Sequence, residues 1–266
     1  MSVQKSYDEL TFSDDFMFAK VMNDKKLCKQ LLEIILGIKI KDISYPEKQK
    51  TIDITYDGKS VRLDVYIDDD AGTVYDIEMQ TTVPPNIPKR TRYYQGMIDL
   101  NLIEKGADYN ELRKSYVIFI CTKDIFGLDE PVYRFENYCR EHDLPLSDEA
   151  YKIVLNASSS KLNNTKLHKF LKFVHSGKSE DKFTESLLSA VKKAKLNKEW
   201  RTEYMTLLMR DNMNRAEGLA EGKTTATQLF QKLLRKIQPN TKDYEFLLNA
   251  SYEELEKLAK KYNIEP

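Results

Sequence analysis

Apolar and polar residues alternate with a period of two through "TIDITYDGKSVRLDVYI" (51–67) and again from about Thr73 to Gln80, which predicts a three-strand meander. Asp57-Gly58 is a strong signal for the first turn. Upstream, the period changes to that of a helix. In "DDFMFAKVM", Ser13 is the expected cap, Phe12 can staple onto Met17, and Asp14 and Asp15 suit the positive end of the helix dipole. In "KKLCKQLLEIIL", Leu27, Leu31, Ile34 and Ile35 share a face, Asp24 is the expected cap and Gly37 the stop. After the meander, Pro84, Pro85 and Pro88 exclude a central strand, and a helix is predicted from Arg90 to about Lys105, closed by Gly106. "SYVIFICT" is continuously apolar, as a strand buried on both faces must be. Residues 124–148 read as irregular, "YKIVLNAS" as one more strand, and the chain from Asn163 onward as helical, with Trp200, Tyr204, Leu207 and Leu208 in one stripe. The expected architecture is an α/β or α+β sheet domain over residues 1–157 and a helical extension over 158–266.

The second hairpin, "VRLDVYIDDDAGTVYDIEMQ", carries the chemistry. Asp70-Ala71-Gly72 suits a three-residue loop with Gly72 in the left-handed conformation, which pairs Asp69 with Thr73. The same register sets Asp64 opposite Glu78 and Arg62 opposite Gln80. Two carboxylates about 5 Å apart repel by roughly 3 kcal/mol at an effective dielectric near 20. A divalent cation shared between them relieves this, and oxygen ligands without nearby cysteine or histidine favour magnesium or manganese. Leu63, Val65, Ile67, Tyr75, Ile77 and Met79 make the opposite face apolar, so the hairpin is expected to pack through that side and display its acids on the other. A solvated polar face, with Arg62 neutralising part of the charge, is the alternative. A two-residue loop would shift the pairing by one and separate the acids.

Composition narrows the setting. The chain has 266 residues, with 42 basic and 42 acidic side chains, so any nucleic-acid surface has to be local. Its basic segment is 161–201, and Lys192, Lys193 and Lys195 with Trp200 and Arg201 are the subset most suited to a phosphate backbone; a solvated helix face explains the same residues. Arg90, Arg92, Tyr93, Tyr94 and Gln95 follow the acid hairpin, where guanidinium forks can meet phosphates and tyrosines can stack on a base or pack inward. Cys28, Cys121 and Cys139 form no CxxC pair and read as free thiols of a reducing compartment. His168 and His175 lack a third ligand type. The first residues show no apolar leader and no run reaches membrane-spanning length, so a cytoplasmic protein without membrane contact is expected. Leu229, Leu233, Leu234, Ile237, Leu247, Leu248, Leu255 and Leu258 give the tail an apolar face able to pack on the main domain, form a homo-oligomer contact or receive a partner.

"FSDDFMFAKVM", "VRLDVYI…TVYDIEMQ", "IPKRTRYYQGMIDL" and "YVIFICT", in that order, resemble the PD-(D/E)xK nuclease-family transposases, the group related to Rpn recombination-promoting nucleases. "RAEGLAEGK" is similar to the Glu-Gly repeats of their tails. The resemblance implies a restriction-endonuclease-like mixed sheet flanked by helices, and hydrolysis of DNA phosphodiesters with Mg2+ or Mn2+, linked to recombination or transposition. It assigns the metal to Asp64 and Glu78 and the last motif position to Gln80, where the wider superfamily has lysine. Glutamine can orient a water but carries no charge, which leaves a weak or inactive nucleic-acid-binding or protein-binding relative as the rival expectation. An acid of the first helix often completes such sites; Asp15 is the candidate, ahead of Asp14 and Glu33.

Overall fold

The computed structural model describes residues 5–45, 51–52, 61–82 and 86–264. In chain order the elements are α1 (Asp15–Met22), α2 (Lys25–Leu36), β1 (Ile43–Ser44), β2 (Thr51–Ile52), β3 (Val61–Arg62), β4 (Val65–Asp69), β5 (Val74–Gln80), α3 (Ile87–Leu102), β6 (Ser115–Cys121), β7 (Val132–Phe135), β8 (Tyr138–Cys139), β9 (Leu144–Pro145), β10 (Ala150–Asn156), α4 (Lys166–Ser176), α5 (Lys182–Lys195), α6 (Lys198–Lys236), α7 (Lys242–Leu248) and α8 (Tyr252–Lys261). This is the α/β class expected, a mixed sheet flanked by helices.

The sheet has six strands in the order β1-β4-β5-β6-β10-β7. β4 and β5 are antiparallel, β5, β6 and β10 run parallel, and β7 returns antiparallel at the edge. β2 with β3 and β8 with β9 form separate two-stranded ladders. The hairpin register is the predicted one: Val65 faces Ile77, Ile67 faces Tyr75, and the Asp69 N–H donates to the Thr73 carbonyl (2.9 Å). Gly72 adopts φ +83°, as the loop requires. Asp69 explains the acidic run beside it, because its Oδ1 accepts from the N–H groups of Ala71 and Thr73 and its Oδ2 from the Tyr75 hydroxyl.

Both faces of the sheet are covered. On one, α3 lays Ile87, Tyr94, Met97 and Ile98 over Val74, Val117, Phe119 and Val154, all buried in one cluster. On the other, α1 touches β5 while α4 and α5 pack on α1 and α2. Each fully buried Leu or Ile there, such as Leu31 and Ile35 of α2, contributes about 1.5–3 kcal/mol. The sequence suggested that the hairpin displays its acids to solvent; instead Asp76 and Glu78 are buried on the face that α3 covers, and Asp64 is half-buried. Helix α3 begins at Ile87, with Pro88 in its first turn, rather than at Arg90. It also ends at Leu102 rather than Lys105.

Other local expectations change by small steps. Asp24 caps α2 by accepting from the N–H groups of Lys26 and Leu27, and Gly37 closes it at φ +70°. For α1 the cap position is Asp14, one residue later than expected, because the Ser13 hydroxyl donates instead to the Val174 carbonyl (2.6 Å). The segment read as irregular contains the edge strand β7. Its alternation is short and its partner β10 lies downstream, so no local pattern announces it. The Asp57-Gly58 turn and the Arg62 side chain lie outside the described residues.

The chain divides into two compact units, Met1–Arg201 and Thr202–Pro266. Helices α4 and α5, read as part of the extension beginning at 158, pack within the first unit. In the second, the leucines whose role the sequence left open largely pack on one another: Leu229, Leu233, Ile237, Leu247, Leu255 and Leu258 form its core, while Leu234 and Leu248 stay exposed. Among the described residues no helix is long and apolar enough to cross a membrane.

Candidate active site

The β4–β5 ladder stops at Val65, one pair short of Asp64 and Glu78. The chain bends at Asp64, and each acid then replaces a ladder bond with its own carboxylate. The Asp64 N–H donates to Glu78 Oε1 (3.0 Å), and the Met79 N–H donates to Asp64 Oδ2 (3.1 Å). The two side chains are thus fixed reciprocally at the open end of the hairpin. This anchoring restricts their rotamers before any ligand arrives.

Asp76 joins them. It lies two residues before Glu78 on the same face of β5, is wholly buried, and no N–H or hydroxyl of the described residues donates to its carboxylate oxygens; the Glu78 carboxyl is the neighbour able to share a proton with it. Burial pushes its carboxyl well above the usual range, and the charge of Asp64 pushes the same way. Glu78, 4% exposed, is raised by burial first and then by Asp76 and Asp64. Arg90 is the cation that opposes both shifts, its Nη2 standing 3.7 Å from Glu78 Oε2.

Arg90 also organises the neighbours. Its Nη1 donates to Gln80 Oε1 (2.6 Å) and its Nη2 to the Tyr94 hydroxyl (2.8 Å), while its guanidinium lies over the rings of Tyr94 and Phe119. The Gln80 amide nitrogen donates to the Thr82 hydroxyl (3.0 Å). Asp64, Glu78, Gln80, Arg90 and Tyr94, all singled out from the sequence, are therefore brought together by a β5 edge and the first two turns of α3.

The remaining candidates lie elsewhere. Gln95 is buried and donates to the Ser115 hydroxyl (2.6 Å) at the far end of β6, where Ser115 pairs with Val74 rather than with Glu78. Arg92 is exposed and lines a different cleft, two residues and so just over a half-turn from Arg90. Asp15 is exposed at the start of α1, where its carboxylate accepts from the Phe16 N–H. Asp14 is engaged by Lys5 and by Thr11, and Glu33 by Lys29 and the Ile40 N–H. Of the basic subset, Lys195 donates to the Asp8 carbonyl and Arg201 forks onto the Asp8 carboxylate. Asp76 is the site residue that sequence reasoning left out. Its signal was present, because the alternation in "YDIEMQ" puts it on the face of Glu78.

Among the described residues no group of three or more acidic, histidine or cysteine side chains is arranged to hold a metal ion. The chemistry of the pair nevertheless fits a hard divalent cation. All donors are oxygens, Asp76 and Glu78 share one opposing guanidinium, and the two Asp76 oxygens are buried without an N–H or hydroxyl donor. Magnesium is commonly held by one or two carboxylates, with water and substrate oxygens completing its shell.

Comparison with curated proteins and with solved structures yields no match. The sequence does match one family over residues 13–215, more than half of the chain, from the loop before α1 into α6. That span contains the whole sheet, the reciprocal acids and Arg90. The chain belongs to the PD-(D/E)XK nuclease family transposases.

Proposed function

We propose that the protein is a metal-dependent DNA endonuclease whose metal is held by Asp64 and Glu78. The observation that carries this reading is the reciprocal bonding of those two acids at a frayed hairpin end, beside a buried Asp76 without an N–H or hydroxyl donor. A hairpin under no functional demand would relieve such repulsion by substitution, since like charges facing across a ladder destabilise it. Magnesium or manganese, when bound, lowers the pKa of a water and polarises a phosphate.

The chain's own residues supply the rest. Gln80 Oε1 keeps one lone pair beyond its bond from Arg90, and that lone pair can orient an attacking water. The water's oxygen forms the new bond to phosphorus, the opposite ester oxygen leaves, and the products are a phosphate monoester and a hydroxyl. Arg90, part-exposed, has donors left for the non-bridging phosphate oxygens. It thereby supplies, 2.6 Å from Gln80, the positive charge that lysine gives the wider superfamily. Tyr94 holds the guanidinium in place.

One observation favours the rival reading, a binding protein without cleavage: Glu78 is only 4% exposed, which leaves little of its carboxylate open to a substrate oxygen. Nicking of supercoiled plasmid with and without Mg2+ separates the two. Cleavage that needs Mg2+ and is lost in Asp64→Ala and Glu78→Ala supports the nuclease. Binding with no cleavage by the wild type supports the rival.

A further inference from the structure

A second cleft opens on the same face of the sheet as the acids. It encloses about 390 Å3 and is walled by Phe126 and Phe135, whose ring centroids are 5.2 Å apart. Val154 forms its floor, and Arg92 and Lys152 stand on its rim with Asn137. The register fixes its distance from the acids: Val154 pairs with Phe119, which pairs with Glu78. Two strand spacings separate them, about 10 Å, which is roughly the rise of three stacked nucleotides.

The cleft's chemistry is specific. Phe135 is 43% exposed although it is a large apolar ring on an edge strand, and it faces Lys152 across the ladder. Arg92 makes no hydrogen bond or ion pair among the described residues. Lys152 donates to the Ala150 carbonyl (3.2 Å) and feels the charge of Asp99, so it is partly engaged. The Asn137 amide nitrogen donates to Asp148. An aromatic wall with an unpaired guanidinium at its mouth suits a flat, apolar-faced ring attached to a phosphate. The volume lies within the range of small-ligand sites, about 300–1,000 Å3.

We infer that this cleft takes an unpaired nucleobase of the DNA strand being cut, stacked on Phe135, with Arg92 on a flanking phosphate. The inference rests on the nuclease reading and deepens it: the substrate class is DNA that is single-stranded or locally unpaired near the cleaved bond. A base held in a duplex cannot present its face to the ring, whereas an unpaired one can.

Fluorescence anisotropy in EDTA tests the cleft apart from cleavage. The probes are a labelled single-stranded oligonucleotide, the same strand with abasic sites, and a blunt duplex. The wild type should bind the base-bearing strand most tightly. Phe135→Ala should weaken that binding roughly 5- to 150-fold, the value of one base–aromatic stack, and leave the abasic strand and the duplex unchanged. Phe135→Trp should restore it. Arg92→Gln should weaken both single strands and lower the salt dependence by about one counterion. Unchanged binding of the base-bearing strand by Phe135→Ala, or an equal loss on the abasic strand, overturns the inference. If Asp64-dependent nicking persists in that case, only the cleft proposal falls. If the wild type neither binds nor nicks any of these DNAs, both fall.

Discussion

Replacing Asp76 by asparagine removes a buried charge without changing the shape of β5. Asp76 is wholly buried without an N–H or hydroxyl donor to its oxygens, and burial with the Asp64 charge holds its carboxyl well above the ordinary 3.8. In the folded protein it therefore keeps a proton that the unfolded chain releases. Because the folded state binds more protons, this group's contribution to stability falls as pH rises from the unfolded value towards the folded one. The slope is about 1.4 kcal/mol per pH unit while that difference lasts, so roughly 3 kcal/mol is the ceiling over two pH units. Glu78, raised by burial and then by Asp76, acts with the same sign. His168 acts against it: burial lowers its pKa, so stability rises as pH climbs from that lowered value towards the ordinary 6.5. Glu33 and Asp124 are lowered despite some burial, by Lys29 and the Ile40 N–H for the first and by the Phe126 and Asp129 N–H groups for the second, and their contributions are lost only in acid. Subtracting the variant's curve from the wild type's cancels His168, Glu33 and Asp124, and leaves Asp76 together with the part of the Glu78 shift that Asp76 causes. A protonated acid and an amide leave similar polar atoms unsatisfied, at about 1–3 kcal/mol each, so the two proteins should nearly match in mild acid. The variant should then gain on the wild type as pH rises above the carboxyl's ordinary 3.8, by at most about 1.4 kcal/mol per pH unit. Urea unfolding in EDTA across that range is the assay. Parallel stability curves for the two proteins would refute the reasoning.

Arg90→Gln should destabilise the metal-free protein by about 1–3 kcal/mol, discounted for its partial exposure, because it leaves Glu78 and Asp76 without a facing cation. In Asp76→Asn the same change should cost less, and equal costs in both backgrounds by thermal melting would contradict the shared-charge account. Gly72→Ala should cost about 1 kcal/mol through its φ of +83°, since the added carbon meets the Arg113 side chain only at 3.7 Å; a stabilised variant in urea would contradict the left-handed turn. Leu233→Ala, at a fully buried position, should cost the unit 202–266 about 2–4 kcal/mol, read as faster amide exchange at Leu229 and Leu258, and unchanged exchange would contradict that core.

Where the signal was local, the sequence was readable. The Asp70-Ala71-Gly72 loop fixed the hairpin register, which set Asp64 and Glu78 opposite each other, and Asp24 and Gly37 bounded α2. What escaped depends on contacts distant along the chain. The hairpin's polar face looked solvated because nothing in "YDIEMQ" shows that α3 folds back over it. The guanidinium partner of Gln80 comes from Arg90, ten residues on and past Pro84, Pro85 and Pro88, so no local pattern announced that a cation stands beside the glutamine. Arg92 and Gln95 share a stretch of sequence with Arg90, but the helical period turns them to other sides. Strand β7 went unseen because its pairing with β10 spans a loop containing its own small ladder.

Titration of Mn2+ into the protein, with the free ion followed by electron paramagnetic resonance, tests the central claim most directly. The account predicts saturable binding by the wild type that is lost in both Asp64→Ala and Glu78→Ala while each variant keeps its fold. Equal Mn2+ uptake by all three proteins, or none by the wild type, would contradict it.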